Sequence, residues 1–295
     1  MNMRPLKTAF NWLLLSSVLL FPAIGHASDN NASFTETDER LPLWEFGIAG
    51  VTARLPHYMG SDEYENYLYP LPYIIYRGKI LRADREGIRG IFYKGEKFET
   101  SLSLWGNPPV SDENEARRGM PELDAIGEIG PALRYTFFRH GWQDRLYLQA
   151  AWRTAFSFGF NGGLDMDMDY QGWHTSVDLS YHKKTLIGDR KLSIYIKGGL
   201  HFADSRYNNY FYGVPSQYAT SFREPYEADG GYAGFSFSSS LFKEMSSKIS
   251  IGCYVRWNNL AGTAFEDSAL VREKNNYAIG ALVVWKLAES LKPAP

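Results

Sequence analysis

His174, Asp178, His182 and His201, with Ser176 or Ser193, are the side chains whose types could build a hydrolytic site. A triad needs a nucleophile, a base and an orienting acid within hydrogen-bond reach. His174, Asp178 and His182 share one face of a period-two segment, but successive members are four residues apart, which at a strand's rise leaves them ~13 Å from one another. They cannot touch along the strand; a cross-strand neighbour such as His201 can approach one of them. A lipid- or peptide-hydrolysing site is therefore the weakest reading, and the chain is expected not to be an enzyme. Asp165, Asp167 and Asp169 alternate as ligands of a hard cation would. Tyr170 and Ser176 stand where an EF-type loop needs Gly and Glu, so at most a loose contact shared with lipopolysaccharide phosphates remains. No metal site and no cofactor are implied. The single cysteine, Cys253, shares a face with Ile249, Ile251, Val255 and Trp257 and reads as an apolar, lipid-facing residue. It also excludes an intrachain disulfide and a cysteine zinc site, and a net charge of -2 argues against a nucleic-acid partner. The cations Lys183, Lys184, Arg190 and Lys191 offer a different chemistry, a periplasmic docking surface for acidic proteins or anionic glycans. The plainer account is that short turns beside phosphate headgroups carry Lys and Arg.

The elements that position these residues have period two. On 173–181, Trp173, Thr175, Val177, Leu179 and Tyr181 oppose His174, Ser176, Asp178 and Ser180. On 192–202, Leu192, Ile194, Ile196, Leu200 and Phe202 oppose Ser193, Tyr195, Lys197 and His201. The last segment puts Tyr277, Ile279, Ala281, Val283, Trp285 and Leu287 on one face. Similar alternation recurs at 97–105, 126–138, 145–158, 231–242 and 248–258, and a first strand with less clean faces is expected near 43–55. Segments of about ten residues suit tilted strands that cross a bilayer, and the negative mean hydropathy excludes a helical membrane bundle. No helix-period segment stands out.

Arg4 and Lys7 precede an apolar run over 8–24, and Gly25-His26-Ala27 offers a processing site, so 1–27 reads as a secretory signal. Residues 28–42 form a polar periplasmic lead, 43–287 the barrel and 288–295 a C-terminal extension. Short connections at 94–96, 139–144, 183–189 and 243–247 alternate with long ones at 57–67, 106–124, 159–170, 203–230 and 259–274. That rhythm, with basic turns and acidic loops, marks an all-β, transmembrane, antiparallel up-and-down barrel of the bacterial outer membrane, in contact with lipid and lipopolysaccharide. The stretch 68–93 decides the strand number: turns at Arg77-Gly78 and Glu86-Gly87 give twelve, one bent strand gives ten. Twelve is favoured, because Pro70 and Pro72 do not suit a regular central strand. The inward set includes Tyr147, Gln149, Arg153, Tyr195, Lys197, Tyr254 and Arg256, bulky enough to fill much of so narrow a lumen. Ion pairs that fill the interior are the expectation for Arg134, Arg153, Asp178, Lys197 and Arg256.

Tyr69-Pro70-Leu71-Pro72-Tyr73, Tyr76-Arg77-Gly78 and Arg89-Gly90 closely resemble the start of the MipA/OmpV family, the MltA-interacting outer-membrane proteins. So does Arg117-Arg118-Gly119-Met120-Pro121-Glu122-Leu123-Asp124, running into Glu128-Ile129-Gly130-Pro131, and a further echo is Tyr210-Phe211-Tyr212-Gly213-Val214. The resemblance implies a non-enzymatic scaffold that brings a murein lytic transglycosylase together with a murein synthase, and it brings no catalytic residues. A narrow or gated channel is the alternative. One departure is that 288–295 extend past Leu287, where outer-membrane barrels usually end on an aromatic.

Overall fold

The computed structural model describes residues 41–84, 87–110, 114–140, 144–160 and 166–295; the signal segment and nearly all of the lead lie outside them. Twelve strands form one closed antiparallel barrel: β1 (Trp44–Pro56), β2 (Tyr64–Arg77), β3 (Leu81–Asp84), β4 (Gly87–Lys94), β5 (Phe98–Asn107), β6 (Ala125–His140), β7 (Asp144–Phe160), β8 (Met166–Ile187), β9 (Arg190–Ala203), β10 (Gly231–Glu244), β11 (Ile249–Asn259) and β12 (Asn275–Glu289). Each pairs with its sequence neighbour, and β12 closes on β1 from Glu45↔Glu289 to Arg54↔Ile279. Closure pairs the strand backbones around the wall, as a lipid environment demands, except, among the described residues, along part of β2. The chain breaks after Arg77 and again after Asp84, so the number is twelve, not ten.

Alternation becomes a wall with two environments. On β8, His174, Ser176, Asp178, Ser180, His182 and Lys184 are buried inward, while on β12 Tyr277, Ile279, Val283, Trp285 and Leu287 are exposed outward. Tyr277 and Trp285 are eight residues apart, about 26 Å along a strand, which at a barrel strand's tilt spans about 20 Å of an apolar band about 25 Å tall with aromatics toward its borders. No helix among the described residues is long and apolar enough to cross a membrane; the strands make the crossing.

Three expectations change. The loop expected over 159–170 shrinks, because β7 reaches Phe160 and β8 starts at Met166. The turn expected over 183–189 is mostly strand, with only Gly188 (φ 66) and Asp189 between β8 and β9. A helix, α1 (Ser205–Tyr212), lies in the long connection before β10, capped by Asp204, whose carboxylate accepts from the Tyr207 N–H at 2.9 Å. The residues beyond Leu287 do not hang free: the Leu43 N–H donates to the Lys292 carbonyl (2.9 Å) and the Ala294 N–H to that of Leu41 (2.8 Å).

The wall has one thin seam. β2 pairs with β1 along its whole length, from Trp44↔Tyr76 to Pro56↔Tyr64, but meets β3 only at Tyr76↔Ala83 and Arg77↔Arg82. Above those two pairs the β2 edge faces no strand among the described residues. Pro70 and Pro72 lie on it, where a missing N–H costs no ladder bond. Tyr69 points to the lumen beside its β1 partner Val51, yet it is 44% exposed where Val51 is 4%.

Candidate functional site

The interior is packed at its periplasmic end. The Tyr147 and Tyr195 hydroxyls meet at 3.3 Å, Ser180 Oγ lies 3.1 Å from the Tyr195 hydroxyl, and the Arg134 guanidinium stacks 4.2 Å over the Tyr147 ring. Ala49, Val51, Phe242 and Val284 complete this plug. The inward tyrosines are therefore as space-filling as their size implied.

The extracellular loops fold over the other end as a lid. Tyr212 of α1 stacks on Phe265 with ring centroids 3.8 Å apart, and its hydroxyl donates to the Met59 carbonyl at 2.9 Å. The arginine-rich loop locks this helix in place. The Arg117 guanidinium donates to the Phe211 carbonyl (3.0 Å) and to the Pro121 carbonyl (3.4 Å). Arg223 donates to the carbonyls of Ala116 (2.7 Å) and Arg118. Met120 packs in the lid core, and Gly119 supplies the turn with φ 80. Burial lowers the Arg117 guanidinium from its ordinary value and raises the Tyr58 and Tyr212 hydroxyls above theirs. These residues hold the lid; the residues named in the sequence motif do structural work.

Between lid and plug lies a chamber of about 190 Å³. Arg153, His174, Ser176, Asp178, Lys197, His201 and Arg256 line it, with Trp105 beside them. Arg153 donates to Ser103 Oγ (2.9 Å) and Ser176 Oγ (3.4 Å), Ser176 donates to Asp178 Oδ2 (2.9 Å), and Lys197 Nζ lies 3.7 Å from Asp178 Oδ1. Of the expected interior pairs, Asp178 with Lys197 and Arg134 with Glu99 (3.7 Å) are formed. Trp105 has two cations near its ring, Lys197 at 5.9 Å and Arg256 at 5.6 Å from its centre.

A second line of polar groups ties wall to lid. Glu128 accepts from the Tyr207 hydroxyl of α1 at 2.8 Å and lies 2.9 Å from His174 Nδ1. His174 Nε2 lies 3.1 Å from His201 Nδ1, and His201 Nε2 lies 2.8 Å from Ser236 Oγ. With a carboxylate at Glu128, neutral rings donate in one direction only: Ser236 to His201, His201 to His174, His174 to Glu128. His201 does reach His174 across the strands, as anticipated. This line resembles a nucleophile relay, but Ser236 is 2% exposed and outside the chamber lining, so its oxygen is not presented to a ligand.

Of the proposed docking cations, Lys183 is exposed and Arg190 and Lys191 are partly exposed at the β8–β9 hairpin. Lys184 is 4% exposed and faces inward, which removes it from any docking surface. The strand runs on through Lys184, which pairs with Ser193 of β9, and the alternation that buries His174 to His182 places position 184 on the same inward face. Asp167 and Asp169 lie on β8, Asp165 lies outside the described residues, and no metal-holding group of acidic, His or Cys side chains occurs among the described residues. Cys253 is exposed on the outward face of β11, as expected. Sequence reasoning missed Glu128 and Tyr207 as interior partners; Asp204, placed three residues before Tyr207, is the cap signal that could have located α1.

A family model described as MltA-interacting protein MipA matches residues 48–287. Outer membrane protein Omp26La of Vibrio anguillarum is 23% identical over 222 residues, covering 71% of this chain and 75% of that protein. Among solved structures, a bacterial polysaccharide outer membrane secretin is 8% identical with a TM-score of 0.35, covering 84% of this chain and 99% of that one. The CymD monoaromatic hydrocarbon channel is 10% identical with a TM-score of 0.29, covering 86% and 90%.

Proposed function

The chain belongs to the MltA-interacting protein family, and from that premise we propose that this outer-membrane β-barrel is a non-catalytic scaffold whose periplasmic end docks a murein lytic transglycosylase and, beside it, a murein synthase. The observation that carries the reading is the plug. Interlocked Tyr147, Tyr195, Ser180 and Phe242 fill the lumen at the periplasmic end, so the barrel offers its partners a solid end rather than a mouth. Lys183, Arg190 and Lys191 add a cationic rim there, suited to steering acidic proteins and anionic glycan. The same side chains also meet the phosphates of lipid and lipopolysaccharide. Crosslinking in intact envelopes, read by mass spectrometry, tests the reading. Murein hydrolases and synthases are expected among the crosslinked partners, with lower recovery from a Lys183→Gln/Arg190→Gln/Lys191→Gln variant; unchanged recovery contradicts docking at this rim.

A second reading, narrow or gated conduction, draws support from the cation-lined chamber. Planar bilayers distinguish the two: reproducible current steps from the purified protein favour the channel, silence favours the scaffold.

A further inference from the structure

We propose that the chamber between lid and plug is a binding site for a small anionic amphiphile, a carboxylate carried on a flat apolar body of about ten non-hydrogen atoms. The first ground is charge. Arg153, Lys197 and Arg256 line the chamber, and the carboxylates near them are already engaged: Asp178 by Lys197 and Ser176, Glu128 by His174 and Tyr207. Arg256 touches the Trp105 ring and Tyr254 and forms no ion pair with a carboxylate among the described residues. A guanidinium enclosed in a barrel is stabilised by an anionic partner, and its planar fork matches a carboxylate.

The second ground is shape. Phe211, Tyr212, Leu260 and Phe265 add apolar lining, and Trp105 supplies a flat ring near Lys197 and Arg256. A ligand with its carboxylate on Arg256 would lay its body against these rings. The volume of about 190 Å³ is of the order of the ~150 Å³ apolar cavity that admits benzene. The third ground is placement: Leu55 to Met59 at the end of β1 and Trp105 to Pro108 at the end of β5 line the chamber, so the site lies at the end of the barrel that carries the long loops.

The inference does not depend on the scaffold reading. The test is isothermal titration calorimetry on the full chain in detergent micelles, using benzoate and its uncharged counterpart benzamide, each against a micelle-only blank. Saturable one-to-one binding of benzoate is expected, with benzamide at least about tenfold weaker, as the loss of one charge-assisted contact implies. Arg256→Gln should weaken benzoate by about tenfold or more and change benzamide less than about twofold, while Lys248→Gln in the exposed β10–β11 turn changes neither. Folding of each variant is read from its heat-dependent shift in gel mobility. If Arg256→Gln does not fold, Trp105→Leu takes its place and should weaken both probes. No saturable heat with benzoate, equal affinities for the two probes, or an unchanged benzoate affinity in a folded Arg256→Gln protein would overturn the proposal.

Discussion

Tyr207→Phe isolates the bond between lid and wall. The hydroxyl donates to Glu128 Oε1 at 2.8 Å, and the ring stacks on His174 with centroids 5.3 Å apart and planes 15° from parallel. The substitution deletes the bond and keeps the stack. A hydrogen bond to a charged group contributes about 1.5–3 kcal/mol. Glu128 retains its contact with His174, which places the loss near the lower half of that range, about 2 kcal/mol. At 1.4 kcal/mol per factor of ten, α1 should open about thirtyfold more often. Hydrogen exchange followed by mass spectrometry reads this directly, because the Asn208 and Gly213 N–H groups bond to the Asp204 and Asn209 carbonyls only while α1 is formed. The peptide spanning α1 should exchange about thirtyfold faster, with β7 and β8 unchanged. Burial, and then Glu128, hold the Tyr207 hydroxyl well above the ordinary tyrosine value, so it stays a donor at mildly alkaline pH and the difference should persist there. Exchange within about twofold of the native rate, or equal acceleration of β7 and β8, would refute the idea that this bond fastens a lid to a rigid wall.

Asp124 at the foot of β6 has its carboxyl raised by burial and then by Asp169 and Asp167. A raised acid stabilises the folded state below its unfolded value, and that contribution disappears as pH climbs through the folded value; Asp124→Asn should therefore raise the thermal midpoint at pH 7 and lose that advantage in acid. Lys184→Ala should lower the urea midpoint by the equivalent of about 1–3 kcal/mol because it removes a long side chain that is 4% exposed and packed inside the barrel, whereas Lys183→Ala should shift it by less than about 0.5 kcal/mol; equal effects would contradict their opposite placements. At the seam, the amides of Arg82 and Ala83 should exchange faster than those of Leu148 and Val177, since β3 joins β2 by two pairs while β7 and β8 pair along most of their lengths; equal protection would show the seam to be as tight as the rest.

Much of the barrel was legible because lipid and lumen impose opposite demands on neighbouring residues. Tyr277, Ile279, Val283 and Trp285 against Asn276 and Ala278 could adopt one orientation only. Pro70 and Pro72 argue against a regular central strand over 68–93, and among the described residues β2 meets β3 at only two pairs. What lay hidden depends on distances across the lumen. Glu128 on β6 meets His174 on β8, 46 positions away, and no local pattern encodes that pairing. Helix α1 makes only about two turns and carries polar residues among its aromatics, so it gives no sustained stripe. The rhythm of short and long connections places Lys184 in a turn over 183–189; β8 instead runs on to Ile187, and its alternation directs that side chain inward. The arginine-rich loop was recognisable as a motif, while its work of holding α1 through backbone carbonyls appears only in three dimensions.

The chain's single cysteine tests the central claim without any substitution. Cys253 points outward from β11 among Ile251 and Val255, in the middle of the apolar band. A nitroxide attached there in lipid bilayers should be relaxed by dissolved oxygen much more strongly than by a water-soluble nickel chelate. Relaxation dominated by the chelate would contradict a barrel that turns this face to lipid.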